Sequence, residues 1–167
     1  VVVDGVLLSG RNRVGGEWGH NPLPWADADE LPGRQCYCGR RGCLETWLSG
    51  PALARDHELV TGQTLTAPEI AQAADAGEAG AAATMRRYIH RLVRGLAHVV
   101  NILDPDVVVL GGGVSNIDRL YREASGLLPE WVFGGEAQTP LRRARHGDSS
   151  GVRGAAGLWP ARSSLEA

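Results

Sequence analysis

The chain has 167 residues, of which 43% are hydrophobic, and a formal net charge of −2 at pH 7. This length is enough to bury one core, so we expect one soluble domain. Its basic residues are scattered arginines with no lysine, which argues against a nucleic-acid-binding surface, because such surfaces need clustered cations. We see neither an apolar run that would span a bilayer nor a leader peptide, and therefore expect a cytoplasmic location.

The first part of the chain predicts a β-hairpin followed by a long irregular segment. Val1–Val3 and Val6–Leu8 are apolar runs, and the Asp4-Gly5 dipeptide between them tolerates the positive φ angles of a tight turn. The segment from Gly10 to Gly42 is rich in Gly, Pro and polar residues. A loop of this length in a compact domain is usually functional or is held by an added cross-link.

Three helices are predicted in the middle of the chain, over Leu44–Val60, Ala67–Ala76 and Ala79–Leu103. The second begins with a capping box, Thr66 to Glu69, that has Pro at an early helical position. The third is the strongest, because apolar residues recur in it at helical spacing up to Leu103, and Asp-Pro follows directly.

The last part of the chain predicts an α/β arrangement. Val107–Leu110 is a continuous apolar run, as expected of a strand buried on both faces, and Gly111–Gly113 ends it. We expect a helix over Asn116–Leu128, a short strand over Leu141–Arg145 and a helix over Gly151–Leu158. The order of strand, glycine turn and helix favours ligand contact at the carboxyl end of the strand.

The most specific pattern in the chain is a set of metal-ligand residues in the irregular segment. All three cysteines fall within eight residues, with one histidine upstream, and Gly39 and Gly42 allow the backbone to curl around a common point. Three thiolates and one imidazole complete a tetrahedral zinc site with no vacant position, which indicates a structural ion. The alternative, a disulfide or unrelated thiols, is weakened by the odd cysteine count. The predicted ligands are His20, Cys36, Cys38 and Cys43.

A second pattern surrounds the same histidine. Glu17 and His20 lie three residues apart in a Gly-rich turn, and carboxylates accept hydrogen bonds from sugar hydroxyls. Glu45 follows the last cysteine closely, so a bound metal would bring it back toward Glu17. Taken alone, this pattern is equally compatible with solvated side chains. Three tryptophans close in sequence have two possible roles, either lining a sugar pocket or packing under the loop: Trp18, Trp25 and Trp47.

Longer stretches of sequence carry a resemblance to a known family. GGEWGHNPLPW and CYCGRRGCLETWLSGPAL resemble the signature region of the ROK family of sugar kinases and sugar-responsive repressors. HVVNILDPDVVVLGGGVSN and RRARHGDSSGVRGAAGLWP resemble its later segments, most closely in bacterial fructokinases. The resemblance covers essentially the whole chain. It implies the C-terminal half of an actin-like ATPase fold (ribonuclease H-like, α/β), with a zinc-stapled loop, over residues 1–167.

The resemblance also implies roles for individual residues. Glu17, His20 and Glu45 would contact the sugar, His20 would at the same time be a zinc ligand, and the turn Gly111–Gly113 would contact the nucleotide. The expected activity is ATP-dependent phosphorylation, with Mg²⁺, of a hexose, fructose first, to fructose 6-phosphate. A homodimer is expected, and the apolar face from Met85 to Val100 is either its interface or part of the core.

The family's phosphate loop and catalytic base do not match any part of the chain, so no catalytic residue is assigned. We expect the chain to be half of a longer enzyme and inactive alone. The opening residues, which lack Met, favour an N-terminus elsewhere. Two alternatives remain open: a kinase for N-acetylglucosamine, glucose or mannose, and a non-catalytic sugar- and zinc-binding module, either a truncated kinase or a repressor effector domain.

Overall fold

The computed structural model describes residues 1–157 and shows an α/β arrangement in which helices predominate. Most of the segment between the hairpin and the first helix is irregular, with two single turns of 3-10 helix at Trp18–His20 and Ala28–Glu30. The regular elements, in chain order, are β1 (Val2–Val3), β2 (Val6–Leu7), α1 (Glu45–Leu48), α2 (Gly50–Thr61), α3 (Ala67–Asp75), α4 (Ala79–Leu103), β3 (Val108–Leu110), α5 (Asp118–Leu127), β4 (Leu141–Arg143) and α6 (Ser150–Ala156).

Helix α4 forms the centre of the core and has the bounds expected from the sequence. The Glu78 side chain accepts hydrogen bonds from the backbone N–H groups of Gly80 and Ala81 and so caps its start. At its end Asp104 adopts a left-handed conformation, with φ of 43°, just before Pro105. Its apolar face is buried against α2, α3 and α5. This burial accounts for the apolar periodicity of the helix.

The face from Met85 to Val100 is therefore core and does not provide a dimer interface. Met85, Ile89 and Val93 are fully buried within the chain itself. Of the two alternatives left open by the sequence, the structure therefore supports the core, since amphipathic spacing shows that a face is buried but not which chain covers it.

The single helix expected over Leu44–Val60 is two helices. Ser49 is extended, with φ of −77° and ψ of 158°, and separates α1 from α2. Its hydroxyl accepts a hydrogen bond from Ala52 N, and Pro51 follows at an early position of α2. Because proline has no N–H, a continuous helix would lose one hydrogen bond at this point, and the serine cap takes its place.

The second sheet consists of β3 and β4, which pair in parallel with Val108 opposite Leu141. Val108 and Leu110 pack against the core, whereas Val107 and Val109 remain 43% and 56% exposed. The expectation of burial on both faces was thus wrong for the described residues. The run is apolar throughout, yet its side chains alternate between two faces and only one of these faces meets the core.

The remaining elements follow the predictions closely. The hairpin of β1 and β2 turns through Asp4 and Gly5, both with positive φ. Helix α3 has the expected capping box, and α5 is two residues shorter at its start than predicted. The predicted end of the last helix, Leu158, lies outside the described residues. Within residues 1–157, no helix is both long and apolar enough to cross a lipid bilayer.

Candidate functional site

The irregular segment is folded back on itself by backbone contacts around the cysteines. Cys43 pairs with Pro22 in an isolated antiparallel bridge. Within the turn, Cys36 N donates to Arg40 O at 2.8 Å and Gly39 N donates to Cys36 O at 3.1 Å. These contacts direct the three cysteine side chains and His20 toward one point.

The four predicted metal ligands form one cluster. Their donor atoms all lie within 4.8 Å of one another. Cys36 Sγ is 3.6 Å from His20 Nδ1, and Cys38 Sγ is 3.6 Å from Cys43 Sγ. In a tetrahedral zinc centre with three sulfurs and one nitrogen, ligand atoms are separated by about 3.6–3.8 Å, given Zn–S near 2.3 Å and Zn–N near 2.1 Å. The donor set and the two 3.6 Å separations therefore fit a tetrahedral metal ion.

The protein environment distinguishes the thiols. All three cysteines are free, with Cys36 and Cys43 buried and Cys38 exposed. Burial, together with the neighbouring thiols, raises the pKa of Cys43 to about 12. A backbone hydrogen bond at Arg40, followed by contacts with the other two cysteines, lowers the pKa of Cys38 to about 7. Without a cation, the cluster thus favours ionisation of the outer thiol before the inner one.

The other edge of the His20 ring faces the predicted sugar ligands. Its Nε2 atom lies 3.7 Å from an oxygen of Glu17 and 3.7 Å from an oxygen of Glu45. The Tyr37 hydroxyl is hydrogen-bonded to the same nitrogen at 2.8 Å. One imidazole therefore lies between the cysteine cluster and two carboxylates, and it also contacts a tyrosine that the sequence analysis did not identify.

An open cleft of about 720 Å³ lies beside this histidine and is large enough for a monosaccharide. Glu17, Trp18, His20 and Asn21 contribute to its wall. Glu45 opens with Tyr37 onto a smaller neighbouring cleft of about 180 Å³. The two carboxylates thus approach His20 from different sides.

The three tryptophans have different positions. Trp18 is half-buried and lines the large cleft, whereas Trp47 is buried under the loop. Trp25 is half-exposed and packs on Trp131, with ring centroids 5.6 Å apart. The loop packs against helix α4 at Gly95, where Trp18 contacts the helix. An added Cβ at Gly95 would lie only 3.1 Å from the Trp18 ring. The absence of a side chain at Gly95 therefore allows the loop to pack closely against helix α4.

The sequence analysis also missed a buried ion-pair network beneath the loop. Asp56 accepts hydrogen bonds from Arg34 at 2.6 Å, Arg87 at 2.7 Å and Arg91 at 2.9 Å. The guanidinium groups of Arg34 and Arg91 both stack on the Trp47 ring, 4.4 and 4.5 Å from its centroid. The network connects the cysteine turn to α2 and α4. The one local signal was the spacing of arginines along a single face of α4, at positions 87, 91 and 94.

A second carboxylate continues this network. Glu30 accepts from Arg91 and from Arg94, each at 2.7 Å. Burial opposes ionisation of Glu30, but the hydrogen bonds from both arginines outweigh this and lower its pKa to about 2. Burial of Asp56 is likewise outweighed by Arg87 and Arg91, so its pKa lies below the ordinary value. Both carboxylates are therefore charged at neutral pH.

We expect Gly33→Ala to disrupt the cysteine turn, because the backbone passes too closely at this point. Gly33 has φ of +83°, and an added Cβ would lie 2.3 Å from Gly42 Cα. Overpacking of this kind costs about 1–3 kcal/mol, in addition to the strain of positive φ. Gly39→Ala is the matched control, because Gly39 has φ of +87° and open space around it. Urea unfolding checks this: equal losses for the two variants would contradict the close approach.

The glycine turn after β3 is exposed. Gly112 has φ of 82° and ψ of 174°, a region that is essentially restricted to glycine. An added Cβ at Gly112 or Gly113 would meet no atom of the described residues within 4 Å. Gly111 and Trp18 line one small apolar cavity of about 160 Å³. The turn therefore leaves open space at the carboxyl end of β3, and its first glycine shares a cavity with a residue of the large cleft.

Comparison with known proteins identifies the family. The family model described as "ROK family" matches residues 1–162, and the chain belongs to this family. It is 40% identical over 162 residues to an N-acetyl-D-glucosamine kinase of Vibrio atlanticus (strain LGP32). The aligned region covers 95% of the chain and 54% of that protein. The chain thus spans about half the length of the curated relatives it matches.

Solved structures confirm the α/β fold. The ROK hexokinase of Thermus thermophilus superposes with a TM-score of 0.76 at 35% identity, covering 93% of this chain and 50% of that one. A ROK family glucokinase from Streptomyces griseus, in complex with glucose and AMPPNP, gives a TM-score of 0.78 at 26% identity, covering 94% and 55%. The predicted ROK family and the α/β fold of its kinases are confirmed, and the zinc-stapled loop stays a prediction. Fructose specificity receives no support, because the relatives from Vibrio atlanticus and Yersinia enterocolitica are named N-acetyl-D-glucosamine kinases.

Proposed function

We propose that this chain is the sugar-recognising, C-terminal part of an ATP-dependent ROK sugar kinase. The observation that carries the proposal is the orientation of His20, whose Nδ1 faces the thiols while its Nε2 faces the carboxylates of Glu17 and Glu45. Carboxylates and an imidazole N–H together recognise adjacent hydroxyls of a sugar. N-acetylglucosamine is the first substrate to test, ahead of fructose, because the Vibrio atlanticus relative is named an N-acetyl-D-glucosamine kinase.

Zinc is the ion that suits the cluster. Three sulfurs and one nitrogen are a donor set that zinc prefers, two of their separations are those of a tetrahedral centre, and four protein ligands leave no position for a reactive water. With Nδ1 bound to zinc, the proton of His20 must reside on Nε2, so the imidazole donates toward the sugar. In this proposal the metal holds the loop and fixes the tautomer.

The residues of this chain would bind and orient the sugar, and another part of the enzyme would supply the chemistry. Phosphoryl transfer depends on positioning of the hydroxyl and neutralisation of phosphate charge. The general base and the phosphate loop are assigned to the half of the enzyme that the chain does not span. Gly111–Gly113 would contact the nucleotide, which binds together with Mg²⁺. An open turn at the carboxyl end of β3 is a suitable position for this contact.

The exposed apolar residues support this division. Val2, Val6 and Val109 are each about half-exposed or more. Single exposed apolar residues are ordinary. Here, however, they lie on the hairpin and on the sheet of β3 and β4, and neither has a further strand within the described residues. We propose that the rest of the sheet covers them. A homodimer also remains a proposal, which requires a surface other than the buried face of α4.

We expect Glu17→Gln, in the full-length protein that contains this chain, to raise the sugar KM about 10-fold to 100-fold. The charged acceptor is lost, and a hydrogen bond to a charged group contributes roughly 1.5–3 kcal/mol. Glu136→Gln, an exposed position outside both clefts, is the control and should leave kinetics unchanged. Steady-state assays with N-acetylglucosamine, glucose, mannose and fructose check this.

These kinetic assays, together with calorimetry, separate the sugar kinase from the non-catalytic sugar-binding module. Unchanged kinetics in Glu17→Gln would remove this residue from the sugar site. Sugar binding by calorimetry without ATP consumption, in the full-length protein, would favour the non-catalytic sugar-binding module over the kinase.

A further inference from the structure

Tyr37 has an unusual position for a tyrosine. It lies between two cysteines of the metal cluster, so its backbone is fixed, yet the residue is 82% exposed. Its ring meets the His20 ring edge-on, with centroids 5.0 Å apart and an interplanar angle of 85°. Its hydroxyl is hydrogen-bonded to His20 Nε2 at 2.8 Å. The side chain thus has a specific contact with His20 but little burial.

This contact uses the atom that the proposed sugar site needs. His20 Nε2 is the ring nitrogen left to face solvent when Nδ1 faces the thiols. It lies between Glu17 and Glu45, each 3.7 Å away. A ring nitrogen carries at most one hydrogen, so a sugar hydroxyl and the tyrosine hydroxyl compete for the same position.

We propose that Tyr37 is a competing internal ligand of the sugar site, whose hydroxyl holds the position of a sugar hydroxyl at His20 Nε2 and moves away when sugar binds. This inference rests on the proposed function, because it takes that site to be the sugar site. Displacement is inexpensive, since the exposed ring leaves few packing contacts. The apparent affinity for sugar is then the intrinsic affinity multiplied by the fraction of molecules in which Tyr37 is already displaced.

The test is Tyr37→Phe in the full-length, zinc-loaded protein. This variant keeps the ring and removes only the hydroxyl. One neutral hydrogen bond that no longer competes should lower the KM and Kd for N-acetylglucosamine about 3-fold to 10-fold. The kcat and the KM for ATP should stay unchanged, because the contact exists only in the sugar-free state. Tyr37→Ala, which also removes the ring, should lower the sugar KM at least as far.

Two results would overturn the inference. A sugar KM that is unchanged in Tyr37→Phe would show that the hydroxyl does not compete, and a raised KM would show that it contacts the sugar. The zinc content of the variant should equal that of the parent, and its melting temperature without sugar should fall only slightly, as the loss of one exposed hydrogen bond implies, which excludes a wider structural cause. If Glu17→Gln weakens sugar binding and Tyr37→Phe leaves it unchanged, the sugar site stands and the role of Tyr37 falls. If the parent binds no sugar, both fall.

Discussion

Replacement of Cys43 by serine is expected to abolish stoichiometric metal binding and, with it, sugar binding in the full-length protein. Cys43 is the innermost ligand, 1% exposed, and its neighbour Leu44 is fully buried in the contact with Trp47. Loss of one thiolate from a four-ligand site should weaken metal binding more than about 100-fold, since even outer-shell changes cost 10–100-fold. The loop buries few apolar residues and would lose its shape.

The measurements are zinc content after dialysis, far-UV circular dichroism and sugar affinity by calorimetry. Helices α2 to α5 share a separate core, so helical content should largely persist. His20→Gln should behave like Cys43→Ser, and His98→Gln is its matched control, because His98 is exposed on α4. A Cys43→Ser protein that retains zinc and the parental sugar affinity would contradict the proposed clamp.

Asp56→Ala is expected to be the most destabilising substitution outside the metal cluster. Asp56 is 6% exposed and is the shared acceptor for Arg34, Arg87 and Arg91. Its removal leaves three neighbouring guanidinium groups with one fewer countercharge. Breaking a buried ion pair by removing one partner costs about 3–5 kcal/mol. Because two of these arginines stack on Trp47, the cysteine turn should loosen as well.

Urea unfolding of the variant and of Asp75→Ala checks this expectation. Asp75 also pairs with an arginine, Arg119, at 3.2 Å, but it is half-exposed, and exposed pairs contribute about 0–1 kcal/mol. The comparison separates burial from pairing as the source of the effect. Similar losses in the two variants would show that the network beneath the loop is not a stabilising unit.

The features that the sequence predicts well are those set by neighbouring residues. Helix α4 agrees at both ends because a capping carboxylate, Glu78, and the Asp104-Pro105 stop are local signals. The gathering of His20 with the cysteines follows from ligand chemistry, since residues that suit one tetrahedral ion specify their own meeting point.

The features that the sequence does not predict depend on distant contacts. Asp56 and Arg91 are 35 residues apart, and Glu30 and Arg94 are 64 apart. The spacing of the arginines marks one face of α4, but charged residues are ordinarily solvated, and no pattern in the sequence identifies Asp56 and Glu30 as their partners. The contact of Tyr37 with His20 depends on the direction of one side chain. For β3 the apolar run predicts a strand, but burial depends on which elements cover its second face.

Zinc K-edge X-ray absorption, combined with elemental analysis of the purified full-length protein, tests the central claim most directly. The account predicts one zinc per chain, surrounded by three sulfurs and one imidazole nitrogen at about 2.3 and 2.0–2.1 Å. It would be contradicted by protein without bound metal whose three thiols react freely in the folded state, or by a zinc ion surrounded mainly by oxygen.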